Sequence, residues 1–200
     1  MFSESAVQRR TGTRPGVFVA IGAAAAVLLA LVLPVVVRAW TPVHALSARA
    51  LSAPFVPSEA NGALRTPASL DDTGLPAIAG LDPGLLSALR DAATAAAADG
   101  IEFAVTSGWR SPGYQRWLLD DAMERYGSES IARRYVAPPE RSRHVTGDAV
   151  DAGPVEAQSW LLEHGSRWGI CQIYANERWH FEIATDPGGV CPELLPDAAG

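Results

Sequence analysis

Two of the four histidines in this 200-residue chain stand among carboxylates at spacings that suit a metal. His144 lies in SRHVTGDAVDAG and His180 in NERWHFE, whereas His44 and His164 have no such company. A hydrolytic zinc site needs three protein donors and one open position, where a bound water becomes a usable nucleophile near neutral pH. Two imidazoles and one carboxylate meet that need in His144, Asp151 and His180. His144 and Asp151 are seven residues apart, with Gly147 between them to turn the chain so that both side chains reach one point. Asp148 competes for the same place, but an offset of three residues along a strand points it to the opposite face. The plainer alternative has Asp151 satisfying backbone amides in a turn. Glu177 precedes His180 by three residues, so in a tight turn its carboxylate reaches the activated water without becoming a ligand, as a general base must. Its alternative is an ordinary exposed hairpin residue. Trp179, adjacent to His180, must face the other way and is expected to pack in the core.

Arg110 sits in the polar turn SGWRSP, directly after an alternating apolar run. Beside a divalent cation, a guanidinium there suits an oxyanion or a substrate carboxylate, and the residues do not choose between them. A loop salt bridge is the alternative.

Taken together, Ser142-x-His144-x-x-Gly147-x-Ala149-x-Asp151 and Glu177-x-Trp179-His180 resemble the VanY-type D-alanyl-D-alanine carboxypeptidases and the related vancomycin-resistance dipeptidases. The segment SGWRSPGYQ, residues 107–115, is similar to a turn typical of that family, so the resemblance runs over residues 81–183. It implies one zinc ion per chain on His144, Asp151 and His180, with Glu177 as catalytic base and Arg110 stabilising charge on the attacked carbonyl. It also implies that Ser142 and Gln115 line the substrate cleft, and that the substrate is a peptidoglycan stem peptide losing the last residue of a D-Ala-D-Ala end. From the residues alone, Ser142 is equally a turn-former and Gln115 a solvent-facing helix residue. One alternative is an endopeptidase resembling the L-alanyl-D-glutamate lysins, which tend to show Asp-x-x-His where this chain has Glu-x-Trp-His. Another is a non-catalytic wall-binding module, whose cheapest marker would be loss of the base; Glu177 is present.

The elements that must position these groups can be read around them. Asp82 can cap a helix with Pro83 at its first position and an apolar stripe from Leu85 to Ala96, ending before Gly100. Ile101, Phe103 and Val105 alternate with Glu102, Ala104 and Thr106 as in a strand. Ser111 and Pro112 start a second helix that stops at Gly127, and residues 128–135 predict a short third. The loop APPERSR leads to a short strand AVDAG, a helix over 155–164, and a closing hairpin of 170–174 with 179–183. Helices first and strands mostly late predict an α+β domain over residues 81–200, with a small, largely antiparallel sheet and the zinc site at the sheet edge.

Ahead of this domain, residues 16–37 carry no charge and as a helix would span about 33 Å, enough to cross a bilayer. Arg9, Arg10 and Arg14 predict a cytoplasmic arm over residues 1–15 and a single-pass anchor with the domain extracytoplasmic, at the cell membrane. A cleaved signal peptide is the rival reading, with ALSARA as its processing region. Residues 38–80, rich in Pro and Ala, predict a tether. A net charge of −6 with both signs scattered gives no basic stripe, so nucleic acid is excluded as a partner and no protein partner is implied. Export would let Cys171 and Cys191 form a disulfide, contributing about 3 kcal/mol in the chain-entropy model. Free buried thiols, or Cys171 as a metal ligand, are the alternatives.

Overall fold

Helix boundaries follow the local chemistry closely. The computed structural model describes residues 54–199. Among these, the helices are α1 (Pro76–Ala79), α2 (Pro83–Ala98), α3 (Pro112–Tyr126), α4 (Glu129–Ala132), α5 (Arg143–Thr146) and α6 (Val155–His164). The strands are β1 (Ala104–Ser107), β2 (Ala149–Gly153), β3 (Ile170–Gln172) and β4 (His180–Ile183). The Asp82 carboxylate accepts from the amides of Gly84 and Leu85, and Pro83 occupies the first turn of α2, where its missing N–H costs nothing. Ser111 caps α3 through the Tyr114 amide, and Gly127, at φ 66°, ends it in the left-handed conformation that glycine adopts without strain.

The four strands form one sheet in the order β1-β2-β4-β3, and every neighbouring pair is antiparallel. This is the small antiparallel sheet packed with helices that the sequence predicts. Side chains alternate between its faces. Val150 and Ala152 of β2 and Phe181 of β4 enter the core against Leu85 and Leu89 of α2 and Leu161 of α6. Full burial of each large aliphatic or aromatic side chain there contributes about 1.5–3 kcal/mol. Asp151, His180 and Glu182 point to the other face. The expectation of a site at the sheet edge is therefore corrected: Asp151 and His180 stand on the two central strands, paired directly across the ladder.

The predicted tether also needs correction at its C-terminal end. Residues from Phe55 onward belong to one compact unit. Ala68 exchanges two backbone hydrogen bonds with Val105 of β1, at 2.9 and 2.8 Å. Leu70, Ala77 and Ile78 are buried. These apolar residues are broken up by Pro, Gly and Ser and show no helical or strand period, so only tertiary contacts reveal them as core. The predicted span at residues 16–37, the arm before it and the tether up to residue 53 lie outside the described residues. Among the described residues no helix is long and apolar enough to cross a membrane.

Candidate metal centre

His144 lies on α5, a single helical turn where a loop was expected, and Gly147 closes that turn at φ 83°. A Cβ on Gly147 would lie 2.2 Å from the Gly80 carbonyl oxygen, so no side chain fits. The tight exit sends the chain straight into β2 and brings Asp151 beside His144. His180 arrives from β4 as the register partner of Asp151.

The two imidazoles present opposite nitrogens to the site. His144 Nδ1 lies 2.8 Å from the Gly108 carbonyl, which can only accept, so this nitrogen carries the proton and Nε2 offers its lone pair. His180 is held the other way round: Nε2 faces Glu182 Oε1 at 2.9 Å, and Nδ1 faces the site. His144 Nε2 and His180 Nδ1 are 3.2 Å apart, and Asp151 Oδ1 lies 3.3 and 3.4 Å from them. Zinc bound tetrahedrally at about 2.0–2.1 Å from nitrogen and oxygen would space its donors about 3.3 Å apart. Asp151 Oδ1 is buried without a hydrogen-bond partner. A buried acceptor left bare is costly unless something else meets it, and a cation at the centre of this triangle would do so. The donor set therefore fits the metal. Asp148, the rival for Asp151, instead accepts from Thr146 Oγ1 at 2.7 Å and faces Arg143.

Glu177 stands at the side of this triangle, with Oε2 3.8 Å from His180 Nδ1 and Oε1 buried and unbonded. Burial pushes its carboxyl up to about 7, with Asp151 adding to the rise against the opposing pull of His180. Such a group takes and returns a proton near neutrality. Burial lowers the His180 imidazole, but the Asp151 carboxylate 3.4 Å away and the bond to Glu182 outweigh this and lift it to about 9. A cation taking Nδ1 must therefore displace a proton. Burial lowers His144 too, helped by Arg110. Asp151 is held well below the usual carboxylate range: burial opposes this, but His144, His180 and Arg110 prevail.

Arg110 is fixed at three points. Its Nε donates to Ser107 Oγ at 2.9 Å, Nη1 to Gln115 Oε1 at 3.1 Å and Nη2 to Asp151 Oδ2 at 2.8 Å. The last bond occupies the Asp151 oxygen that faces away from the imidazoles and aims the other at them. Two of the five guanidinium hydrogens remain uncommitted. Gln115 is 2% exposed and donates its amide to the Ala137 carbonyl, so both of its polar atoms are engaged in holding Arg110 and the loop. Ser142 is buried at the start of α5, makes no capping bond and lines the cleft. Residues 59–80, expected as tether, brace this turn from outside: Asn61 and Ala77 carbonyls accept from the Ser111 and Trp109 amides at 2.9 and 2.8 Å.

A small cleft opens over these groups, lined also by Tyr135, Val136 and Ala137. Trp179 is not in the core as expected but 42% exposed at its rim. Two contributors escape the sequence reading. Glu182 supports His180, and strand parity could have found it, since it lies two residues further along the same face. Tyr174 lines the cleft with its ring 5.0 Å from that of His180, and no spacing signal marks it. Cys171 and Cys191 form the disulfide, which closes a ring containing Glu177, His180 and Glu182.

A family model described as VanY, D-alanyl-D-alanine carboxypeptidase, matches residues 79–185. A D-alanyl-D-alanine carboxypeptidase of Enterococcus faecalis is 30% identical over 118 residues, covering 46% of this chain and 44% of that protein. The match thus spans less than half the length of this curated relative. Among solved structures, a mutant of the vancomycin-resistance D,D-pentapeptidase VanY from a VanB-type cassette, in complex with Zn(II), is 29% identical. It has a TM-score of 0.48 and covers 51% of this chain and 71% of its own. VanYB in complex with D-alanine-D-alanine is 28% identical, with a TM-score of 0.48 and 51% and 70% covered. With its motif residues gathered in one cleft and the family model spanning more than half its length, the chain belongs to the VanY family of D-alanyl-D-alanine carboxypeptidases.

Proposed function

We propose that this protein is a zinc carboxypeptidase that removes the terminal D-alanine from peptidoglycan stem peptides ending in D-Ala-D-Ala. One observation carries the reading: three buried donor atoms, one of them orphaned, surround a point at metal-ligand spacing, with the raised carboxyl of Glu177 beside them. His144, Asp151 and His180 would hold zinc, which when bound supplies an acidified water and a Lewis acid for the scissile carbonyl. Glu177 takes the proton of the attacking water on its free Oε1 and hands it to the departing amine. Arg110 keeps Asp151 in place through Nη2 and has hydrogens left for the oxygen that gains charge during attack. Ser142 offers a hydroxyl to the peptide, and Gln115 acts by holding Arg110. The family model matched over residues 79–185, described as D-alanyl-D-alanine carboxypeptidase, supports this choice of substrate.

The disulfide supports a place in an oxidising compartment, and the uncharged run at residues 16–37 supports a membrane anchor that leaves the domain outside the cytoplasm. The test is incubation of the zinc-loaded protein with a synthetic stem pentapeptide and mass analysis of the fragments. Release of a single D-alanine is expected. Glu177→Gln should lower the rate by about 10²–10⁴-fold with one zinc per chain still bound. An uncut peptide would overturn the proposal, and an internal cut would make the protein an endopeptidase.

A further inference from the structure

The segment after Cys191 returns to the cleft and bonds to both of its sides. Beside the β3–β4 hairpin, the Leu195 amide donates to the Ile173 carbonyl at 2.9 Å, and the Ala175 amide to the Leu195 carbonyl at 2.8 Å. On the far side, Arg134 Nε donates to Asp197 Oδ2 at 2.7 Å and the Ala198 amide to the Arg134 carbonyl at 3.3 Å. Arg141 Nη1 donates to the Ala199 carbonyl at 2.9 Å. Asn176, from the hairpin, also reaches the Arg134 carbonyl, at 2.9 Å. Ala198 is thereby 6% exposed and becomes part of the cleft lining.

The hairpin brings Tyr174, Glu177 and Trp179 to one side of the cleft, and the loop after α4 brings Val136 and Ser142 to the other. A stretch of backbone is tied to both and contributes Ala198 to the lining between them. We infer that residues 193–199 are the end wall of this cleft and set its specificity, admitting a peptide's carboxyl terminus and excluding a chain that continues beyond it. This rests on the carboxypeptidase reading above. The neighbouring chemistry agrees: Ser142 and the half-exposed Arg143 guanidinium line the same cleft, and both can bond a terminal carboxylate. Selection of this kind works by obstruction of the wrong ligand as much as by attraction of the right one.

The test reads binding, so that it does not depend on turnover. The zinc-loaded full chain with Glu177→Gln is titrated calorimetrically with N-acetyl-D-Ala-D-Ala and with the same peptide extended by one glycine. The extended peptide should bind at least about tenfold more weakly. Adding Arg134→Ala and Asp197→Asn unties the far end of the wall, and the extended peptide should then gain about tenfold while the shorter one moves less than about threefold. Ala198→Trp, which thickens the wall without untying it, should weaken the shorter peptide. Equal binding of the two peptides by the tied protein overturns the wall alone and leaves the carboxypeptidase reading standing. An equal gain for both on untying makes the segment a plug and also overturns the wall. Failure of both peptides to bind any variant overturns the carboxypeptidase reading and the wall with it.

Discussion

The two faces of the β2–β4 strand pair are both buried, by opposite means. Val150, Ala152 and Phe181 are covered by α2 and α6, and their burial is favourable in itself. Asp151, His180 and Glu182 are almost as hidden, at 7, 4 and 9% exposed. Their burial is costly, and each is kept there by a partner: Arg110 holds Asp151, and His180 and Glu182 hold each other. Two residues adjacent in sequence thus answer to different physics. Changes on the apolar face should lower stability and spare the metal site, whereas changes on the polar face should damage the site first.

Asp151→Ala is the strongest challenge to that division. It leaves the Arg110 side chain, 14% exposed, without its carboxylate. Breaking a buried pair on one side costs about 3–5 kcal/mol, so this polar-face change should destabilise as much as a core truncation. Urea unfolding in the presence of a chelator measures it apart from metal loss, and a change within about 0.5 kcal/mol would mean that Arg110 finds another partner or water. Next in size, Leu89→Ala on the apolar side should cost about 2–5 kcal/mol while zinc affinity, read by chelator competition, stays within about threefold. A large drop in affinity would show the faces to be coupled. Glu182→Gln should do the reverse: the amide oxygen still accepts from His180 but without charge, so zinc affinity falls about tenfold with stability nearly unchanged. The smallest effect concerns the strap on the polar side. The bond from Arg134, aided by the Ala199 amide, holds the Asp197 carboxyl below its usual range. Its contribution is present above the ordinary carboxylate value of about 4 and is lost as pH falls through the lowered one. The protection of amides at residues 193–199, taken relative to their intrinsic exchange at each pH, should therefore fall in acid before that of the core, and Asp197→Asn should remove that fall in protection.

What the sequence makes legible divides along similar lines. Asp82-Pro83 and Ser111-Pro112 announce their helices because capping is local, and Gly127 ends one for the same reason. The alternation in AVDAG makes β2 readable and places Asp151 opposite its apolar neighbours. The parity argument that prefers Asp151 to Asp148 agrees with the donor atoms that meet in the cleft. Residues 58–80 are not legible in this way, because Leu70, Ala77 and Ile78 gain their burial only from partners distant in sequence. The expectation fails at Trp179 because β4 begins only at His180, so strand parity does not govern the residue before it, and Trp179 reaches the rim of the same cleft. Gln115 lines the cleft as its motif implies, but its two hydrogen bonds, to Arg110 and Ala137, depend on a loop whose path no local signal specifies.

The Cys171–Cys191 bond has a consequence for survival among foreign proteases. The exposed turn at Asp186, Pro187 and Gly188 lies inside the covalent ring, on the outer side of β4 from the catalytic residues. A cut there would leave both fragments joined through sulfur, with Glu177, His180 and Glu182 still on the piece that pairs with β2. The nicked protein would migrate as one species without reductant and as two with it, with His144, Asp151 and His180 still together on the longer fragment. One proteolytic injury at this turn would therefore not part the donor residues from the sheet that holds them.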